Sequence, residues 1–426
     1  MSLTKATKSF QPVPAGEIKT PIHEKIFIWI LVGGAAFSHA QFIIQGVSLA
    51  DLFFACSLVI CFLSLSMNGS LHYIPRCSIY IILLLIWALI GGLLADSASF
   101  FAFSKTEFVR SFVKLSFYGI GAVLLSSYIW KIEIDVIGKT VLNILTFNAL
   151  IAIYIYIAMS FPIGLPYKFF WFRQGGPLTA GYFGGFESGL VRARGIFSEP
   201  SSLGIFQTLG LTFLYFKSHA IANKLNWKYA AIIISILLTF SLSAYFLFGV
   251  MLIFFILKLR HFKQLFSYTL IIVLTLLFLA TIMYNSFQET IVTRLISVFQ
   301  GKDNSATVRL IATWEASIAT INISPIFGSG LGNLESTIPA IGSGLKYKSI
   351  LTENSQGWNI LAYVLGTMGI VGLFIFGLFI VNLIGRTPAA GTVFLCSMFA
   401  TGRFLDPIFW IFYILFSKEY ICYKYS

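Results

Sequence analysis

Residues 79–94 read Ile79-Tyr-Ile-Ile-Leu-Leu-Leu-Ile-Trp-Ala-Leu-Ile-Gly-Gly-Leu-Leu94, an apolar run without a charged residue. A second uncharged apolar run occupies residues 270–280. Strands of membrane β-barrels alternate apolar and polar side chains, so runs that stay apolar throughout favour helices in contact with lipid. These stretches predict membrane-spanning α-helices.

The composition extends this prediction to the whole chain. Of its 426 residues, 58% are hydrophobic and 11% are charged, and the mean hydropathy is +0.87. Soluble domains carry about 25% charged residues, so a soluble enzyme, a disordered protein and a disulfide-stapled secreted domain are all excluded. At about 20 residues per crossing, the length allows about a dozen helices. We therefore predict an all-α polytopic membrane protein in which residues 1–426 form a single integral membrane domain.

Apolar windows and the breakers between them predict about twelve spans. One apolar run, residues 229–257, is too long for a single untilted helix. The polar sequence Thr239-Phe-Ser-Leu-Ser243 lies in its middle, so we predict two short helices that meet at a hinge. The predicted spans lie near residues 26–46, 48–67, 78–95, 111–130, 136–160, 201–217, 228–241, 243–258, 265–284, 357–384, 390–403 and 407–418.

The basic residues of the short loops predict the orientation. With this set of spans they all fall on one side, which the positive-inside rule makes cytoplasmic. Both termini are then cytoplasmic, and the two long connections, residues 161–200 and 285–356, face outward. The net charge of +13 is spread over many loops rather than gathered in one basic domain, so nucleic acid is not an expected partner.

The two long outer loops carry more cations than carboxylates, and long loops are exempt from the charge rule. Arginine is a planar, permanently charged ligand for phosphate and carboxylate, so an outer cavity that bears arginines suggests an anionic substrate. The alternative is that these residues contact anionic lipid headgroups or pair with nearby glutamates. The cations are Lys168, Arg173, Arg192, Arg194, Arg294, Lys302, Arg309, Lys346 and Lys348.

We expect neither a metal nor another cofactor. The five cysteines lie in or beside apolar runs without paired ligand spacing, which supports neither a disulfide framework nor a zinc site. No Asp-rich or His-rich set suggests a divalent metal, and arginines could replace such an ion electrostatically.

The first motif joins the first outer loop to the sixth span and reads Arg192-Ala-Arg-Gly-Ile-Phe-Ser-Glu-Pro-Ser-Ser-Leu-Gly204. Ser198 or Glu199 before Pro200 predicts a helix start, because proline suits the first turn and a carboxylate there meets the helix dipole. Two arginines and a glutamate clustered at a membrane surface favour a functional site. The alternative is a capped helix start with two snorkelling arginines.

A second motif lies in the second outer loop. Residues 306–321 predict a mostly apolar helix with one stripe available to line a cavity. The stripe consists of Arg309, Thr313, Ala316 and Thr320. The sequence Ser324-Pro-Ile-Phe-Gly-Ser-Gly-Leu-Gly-Asn333 follows it. Its glycines suggest a nucleotide-binding loop, but no strand precedes them, so a tight turn that returns the chain towards the membrane is favoured.

The third motif, Trp358-Asn-Ile-Leu-Ala-Tyr-Val-Leu-Gly-Thr-Met-Gly-Ile-Val-Gly372, opens the tenth span. Small residues let two helix backbones approach closely in a membrane. The glycines at positions 366, 369 and 372 therefore predict a face for close helix packing.

Together these motifs resemble the O-antigen polymerase and ligase superfamily of bacterial envelope glycosyltransferases. The resemblance covers most of the chain in topology, and the motif matches lie in residues 192–204, 239–245 and 309–372. The Arg-x-Arg-Gly-x-Phe-x-Glu-Pro-Ser run resembles the polymerase branch. Both branches share a pattern similar to that of Arg309, Trp314, Pro325 and the turn at residues 328–333.

Two departures from the family pattern bear on the branch. Where relatives often carry Ser-Arg at the broken helix, this chain has Ser243 followed by Ala244. In the ligases, a histidine begins the helix after the long outer loop, followed by an asparagine and, further along, a glycine. Counting back from Gly369 places Trp358 at that position, followed by Asn359. Tryptophan does not accept a proton as histidine does, so the polymerase branch is favoured.

The resemblance implies a fold related to the C-type glycosyltransferases and a reaction at the outer, periplasmic face of the bacterial inner membrane. A growing glycan on undecaprenyl pyrophosphate would pass to the terminal sugar of a lipid-linked repeat unit. A flippase and a chain-length regulator would be partners besides the lipid bilayer. The leaving group is a lipid pyrophosphate, so cations must hold the developing negative charge. The expected cations are Arg192, Arg194 and Arg309, with Arg173 and Arg294 in reserve.

Two further residues complete the expected site. A base near the acceptor hydroxyl would assist its attack, and Glu199 is the best-placed carboxylate. A helix-capping or arginine-pairing role is the alternative for this glutamate. His39, towards the outer end of the first span, is a candidate for substrate contact, although interhelical hydrogen bonding is the commoner role of polar residues in spans.

Two other functions stay open. The ligase of the same superfamily would transfer finished glycan to lipid A core. A transporter of an anionic or lipid-linked solute would need access from both sides of the membrane, whereas an enzyme needs its arginines only on the outer face. No internal repeat or matched pair of broken helices is evident in the sequence, which disfavours the transporter.

Overall fold

The described part of the chain is helical apart from turns and one short strand pair. The computed structural model describes residues 22–38, 47–68, 74–98, 103–161, 184–185, 190–197, 199–217, 227–258, 296–298, 307–341, 344–347, 359–400 and 404–418. In the first outer loop, strand β1 (Gly184–Gly185) pairs antiparallel with strand β2 (Leu190–Val191).

Most helix bounds lie within four residues of the predicted spans, because the apolar runs end at polar residues or prolines, but the fourth helix begins six residues earlier than predicted, at Lys105. The helices are α1 (Ile22–Ile28), α2 (Leu49–Asn68), α3 (Ser78–Ala98), α4 (Lys105–Ile129), α5 (Ile134–Ser160), α6 (Pro200–Lys217), α7 (Trp227–Leu237), α8 (Leu242–Lys258), α9 (Thr313–Ile323), α10 (Leu334–Ile341), α11 (Ile360–Arg386), α12 (Pro388–Ala400) and α13 (Pro407–Ser417).

Five helices in the described ranges are long and apolar enough to cross a bilayer, namely α2, α3, α4, α5 and α11. Helices α7, α8, α12 and α13 are also apolar but shorter. These helices confirm the predicted all-α polytopic membrane fold. The ninth predicted span, residues 265–284, lies outside the described residues.

The first span departs from a single regular helix. Helix α1 continues as a π-helical turn, Trp29–Gly33, and then as a 3₁₀ turn, Ala35–Phe37. Gly34 lies between these turns, and a Cβ atom there would lie 2.4 Å from the Cβ atom of Phe53 in α2. Glycine at this position therefore lets α2 approach the first span closely. Residues 39–46 of the predicted first span lie outside the described residues.

Helix α13 lies at the centre of the bundle, where all its residues are buried. A helix that is apolar on every side belongs in such a position. It begins at Pro407, and the Asp406 carboxylate accepts a hydrogen bond of 2.9 Å from the Ile408 amide. At its other end, the Lys418 ammonium group donates a hydrogen bond of 2.9 Å to the Ile129 carbonyl and so joins α13 to the end of α4.

The predicted hinge between the seventh and eighth spans is present. Helix α7 ends at Leu237 and α8 begins at Leu242, with Phe240 in a left-handed conformation (φ 45°) between them. A non-glycine residue with positive φ interrupts a right-handed helix. The Tyr245 hydroxyl donates to the Leu237 carbonyl, so the first turn of α8 satisfies a terminal carbonyl of α7.

Helix α11 is broken at Gly369, whose φ of 69° and ψ of −169° are not helical. The predicted glycine turn of the second outer loop inserts at this break. The Ser329 amide donates to the Gly366 carbonyl at 2.9 Å, and the Ile370 amide donates to the Pro325 carbonyl at 2.9 Å. The prediction of close helix packing is confirmed for Gly366, where a Cβ atom would lie 2.7 Å from Leu334 in α10 and 2.9 Å from Ser317 in α9. It is wrong for Gly369, where a Cβ atom would meet the Ile326 carbonyl of the inserted turn. Backbone enters the space that a side chain would otherwise fill.

Candidate functional site

The segment before α6 docks on the hinge between α7 and α8. The Ala193 amide donates a hydrogen bond of 2.8 Å to the Leu238 carbonyl. The Nε atom of Arg192 donates one of 3.0 Å to the Thr239 carbonyl. Both carbonyls lie just beyond the end of α7, where the helix leaves such groups without intrahelical partners. The first motif therefore caps the broken helix.

Gly195 lets this segment turn close to α5. Its φ is 59°, and a Cβ atom there would lie 3.3 Å from the Ala152 Cβ atom and 3.4 Å from the Asn148 carbonyl oxygen. A side chain would be strained at this φ and tight against α5. The turn then leads to Glu199, which directly precedes α6.

Helix α6 begins at Pro200, as the sequence predicts. The Glu199 carbonyl accepts a hydrogen bond of 3.3 Å from the Leu203 amide, and its carboxylate accepts one of 3.1 Å from the Ser201 hydroxyl. Glu199 therefore lies at the positive end of the α6 dipole.

Helices α6 and α8 are in close contact near their first turns. A Cβ atom added at Gly204 would lie 2.3 Å from the Cβ atom of Ala244. Ala244 is itself fully buried. The arginine that relatives often carry at this position would have no room here, so the departure in sequence matches close helix packing.

Arg309 reaches this junction from the second outer loop. Its Nη1 atom donates a hydrogen bond of 3.0 Å to the Ser243 hydroxyl in the first turn of α8. Its Nη2 atom lies 4.0 Å from Oε2 of Glu199, and the two side chains are 19% and 43% exposed. Arg309 belongs to a π-helical turn, Val308–Ala312, ahead of α9. Such turns often occur at functional sites because they redirect a side chain.

Four of the predicted site residues lie near the hinge, in different surroundings: Arg192, Arg194, Glu199 and Arg309. Glu199 and Arg309 keep part of their surface exposed, whereas Arg194 is only 2% exposed. Arg192 is half-buried and holds the hinge carbonyl. A ligand at the junction could therefore contact Arg309 and Glu199 directly, whereas Arg194 is not accessible to it.

The predicted stripe on the Arg309 helix does not line a cavity. Thr313, Ala316 and Thr320 are fully buried, and α9 packs against α11. The stripe is buried because its residues are small and let α9 pack closely against another helix. Of the stripe, Arg309 alone retains exposed surface.

Three of the expected substrate residues, Arg173, Arg294 and His39, lie outside the described residues, as does Trp358. Ser243 was not among the predicted site residues. Its position in the Thr239–Ser243 hinge was the available signal, but a single serine does not indicate which cation it binds.

Residues 229–377 match a family model described as O-antigen ligase. The match supports the resemblance of the chain to the O-antigen polymerase and ligase superfamily. The match includes the hinge, Ser243, Arg309 and the 325–333 turn, whereas Arg192, Arg194 and Glu199 precede it. No curated protein matches the chain.

The family match supports a glycosyltransferase-like enzyme, and the apolar helices support a membrane-embedded protein. The described residues contain no group of three or more histidines, cysteines, aspartates or glutamates placed to hold a metal ion. Metal independence itself stays a prediction. The chemistry available at the junction is that of a guanidinium group, a carboxylate and two hydroxyl groups, which belong to Ser201 and Ser243.

Proposed function

We propose that the protein is an envelope polysaccharide polymerase that extends a glycan carried on undecaprenyl pyrophosphate. The observation that carries the proposal is the partly exposed Glu199–Arg309 pair, which lies where Arg309 contacts the first turn of α8 beside the start of α6. The amino ends of two helices and a guanidinium group provide positive potential, as a pyrophosphate requires. A carboxylate beside them can accept a proton.

The proposed reaction is a glycosyl transfer. The acceptor hydroxyl on the terminal sugar of a lipid-linked repeat unit attacks the anomeric carbon of the growing glycan. The new C–O bond forms as the bond from that carbon to the pyrophosphate oxygen breaks, and the electron pair leaves with undecaprenyl pyrophosphate. The hydroxyl proton passes to the Glu199 carboxylate. Arg309 stabilises the negative charge that develops on the leaving oxygen.

Arg192 and Arg194 have different parts in this proposal. Arg192 holds the hinge by its bond to the Thr239 carbonyl, so it places the first turn of α8 for Arg309. Arg194 is buried two residues along the chain from Arg192, so its part is the positive potential of a buried charge rather than direct contact with the substrate. Arg173, Arg294 and His39 stay candidates for contact with pyrophosphate or glycan.

The polymerase is preferred to the ligase because Trp358 replaces the histidine expected at the start of the ligase helix. The description of the matching family model as O-antigen ligase favours the second candidate, transfer of finished glycan to lipid A core. Under either reaction we place the protein in the bacterial inner membrane, with both termini cytoplasmic and the site periplasmic. A flippase and a chain-length regulator are proposed partners. The transporter alternative predicts loss of solute movement rather than of glycan transfer.

A deletion experiment separates the two enzymes. Envelope polysaccharide from cells with and without the gene is resolved on a gel, with lipid A core and lipid-linked glycan probed separately. Core that bears a single repeat unit identifies the polymerase, because ligation still works. Bare core with long glycan on undecaprenyl pyrophosphate identifies the ligase and overturns the preferred choice.

Site variants test the pair itself in the complemented deletion strain. We expect Arg309→Ala and Glu199→Gln to abolish glycan extension while membrane insertion and protein level are retained. The Arg110–Glu107 pair provides matched controls, since it joins the same residue types at 3.9 Å in the first turns of α4 and is more exposed. Arg110→Ala and Glu107→Gln should leave extension normal. Glycans of wild-type length from both site variants would show that the Glu199–Arg309 pair is not the reaction centre.

A further inference from the structure

The end of the bundle at which α1, α5 and α7 begin carries an exposed stripe on α5. Its side chains recur every three or four residues, so they share one face of the helix. Helices α1 and α7 both contact α5. The Lys228 ammonium group of α7 donates a hydrogen bond of 2.7 Å to Asn143 Oδ1. The Trp29 ring, directly after α1, lies edge-on to the Phe147 ring with centroids 6.1 Å apart. We call the exposed residues Lys139, Asn143, Phe147 and Leu150 the α5 stripe.

The apolar half of the α5 stripe faces lipid chains. Helix α5 is long and apolar enough to span a membrane. Phe147 and Leu150 are 50% and 46% exposed, and Trp29 beside them is 38% exposed. Apolar surface that stays exposed on a spanning helix contacts acyl chains. This half of the stripe therefore lies within the hydrocarbon core.

Lys139 marks the depth at which the apolar surface ends. Residues 140–160 contain no Asp, Glu, Lys or Arg. About 20 such residues cross the hydrocarbon core, so Lys139 lies at its edge. Lysine side chains near a helix end extend to the head groups, where the lipid phosphates are.

Two more lysines lie at the same depth on the neighbouring helices. Lys25 precedes residues 26–50 and Lys228 precedes residues 229–257, and neither run contains Asp, Glu, Lys or Arg except for Asp51 beyond the first. Lys25 lies one turn before Trp29 and shares its face of α1. Lys228 is held at Asn143, one turn after Lys139. Three helices therefore each bring one ammonium group to the hydrocarbon edge beside the α5 stripe.

The carboxylates at this end do not cancel the positive charge at that depth. Asp135 lies one turn before Lys139 and Glu133 precedes α5, so both are farther from the hydrocarbon core. Glu24 lies one turn before Phe27, whose ring centroid is 4.6 Å from that of Tyr128 in α4, so this glutamate shares the face of α1 that meets α4. Helix α7 contains no acidic residue.

We propose that the α5 stripe, Trp29 and these three lysines bind an anionic phospholipid. Lys25, Lys139 and Lys228 hold the phosphate, and an acyl chain lies along Phe147, Leu150 and Trp29. A free phosphate would leave the apolar surface uncovered, whereas a zwitterionic lipid would bring its own cation to the lysines. The proposal does not depend on glycan transfer. In the orientation proposed above, the lipid belongs to the cytoplasmic leaflet.

Native mass spectrometry of the purified full chain in mild detergent tests this site. The protein is titrated with phosphatidylglycerol and, separately, with phosphatidylcholine, and the bound lipids are counted. We expect phosphatidylglycerol to bind at least tenfold more tightly. Each of Lys25→Gln, Lys139→Gln and Lys228→Gln should weaken its binding about fivefold, and the triple variant about 100-fold. The single variants keep the proposal testable if the triple variant does not fold.

A matched triple variant removes the same charge elsewhere. It combines Lys105→Gln and Lys114→Gln, in the first half of α4, with Lys346→Gln in the second outer loop. Helix α4 ends beside α1, so its first half lies away from the α5 stripe. This variant should bind phosphatidylglycerol as wild type does.

The apolar half of the site has its own pair of variants. Phe147→Ala should weaken phosphatidylglycerol binding, whereas Phe374→Ala, at a residue of α11 that is 65% exposed, should not.

Four results would overturn the proposal. They are equal affinity for phosphatidylcholine, equal binding by the two triple variants, displacement of phosphatidylglycerol by inorganic phosphate, and a dimer that phosphatidylglycerol dissociates, since a second copy would then cover the stripe. Arg309→Ala should abolish transfer and keep lipid binding, so the failure of either proposal is recognisable.

Discussion

Arg309 Nη1 donates a hydrogen bond of 3.0 Å to Ser243 Oγ, which ties the second outer loop to the first turn of α8. The two residues are 66 positions apart in sequence. Because α8 begins at a hinge that Arg192 also holds, the guanidinium group of Arg309 depends on contacts from three separate segments. This arrangement gives Ser243 a positioning role in the proposed reaction.

Ser243→Ala should lower glycan extension more than it lowers stability. The loss of a hydrogen bond to a charged group costs about 1.5–3 kcal/mol, or about 10- to 100-fold in a rate that depends on it. Ser243→Thr, which keeps the hydroxyl, should restore most of the rate. Glycan extension per unit of inserted protein is the measurement. Ser66→Ala, near the far end of α2, is the control because its hydroxyl bonds only locally to the Leu63 carbonyl. Equal rates in Ser243→Ala and Ser66→Ala would contradict the positioning role.

Gly204→Ala should destabilise the protein by about 1–3 kcal/mol, the usual cost of adding a methyl group to a filled space. The new Cβ atom would lie 2.3 Å from the Ala244 Cβ atom and separate α6 from α8. Gly249→Ala in α8 is the control, because a Cβ atom there meets nothing within 4 Å. It should be neutral or slightly stabilising, since alanine favours helix. Thermal unfolding of the purified variants compares the two, and equal midpoints would refute the close contact.

Gly369→Ala should lower the yield of folded protein more than alanine does at a glycine of α11 that has open space around it. Its φ is 69°, and a Cβ atom would lie 2.1 Å from the Ile326 carbonyl oxygen. We expect the inserted turn to be displaced and the yield of folded protein to fall. Gly377→Ala and Gly385→Ala, both in α11 with open space around them, should fold normally. The measurement is the size-exclusion profile of each variant after detergent extraction. Superimposable profiles for all three variants would contradict the prediction, because they would mean that an alanine at position 369 does not disturb the inserted turn.

Lys418→Met should destabilise the bundle by about 1–3 kcal/mol. The substitution keeps a long apolar stem but removes the donor to the Ile129 carbonyl at the end of α4. Lys228→Met is the matched control, because the Lys228 ammonium group bonds to Asn143 at an exposed position. Exposed polar contacts contribute about 0–1 kcal/mol, so this variant should unfold close to wild type. Thermal unfolding of both purified variants is the measurement. A larger loss of stability in Lys228→Met than in Lys418→Met would contradict the stabilising bond from Lys418 to the end of α4.

The site was predictable in part. Glu199 before Pro200 indicated a helix start from local chemistry alone, and α6 begins there. The arginines of the first motif were identified as a cluster, but sequence did not distinguish buried Arg194 from half-buried Arg192. The prediction that the stripe on the Arg309 helix lines a cavity is wrong, because helical periodicity shows which residues share a face and not what that face contacts.

Hydropathy, helix starts and the polar hinge were determined by the sequence itself. They depend on local free energies, namely the transfer of apolar runs into lipid and the satisfaction of backbone groups at helix ends. Ile79 to Leu94 predicts a span in any arrangement of neighbours, and Thr239 to Ser243 predicts a break in any arrangement. Tertiary structure alone decided that Arg309 meets Ser243 and Glu199, and that the turn at Ile326 fills the break at Gly369. These contacts join residues far apart in the chain, so they depend on how the helices pack, and no local preference encodes that packing.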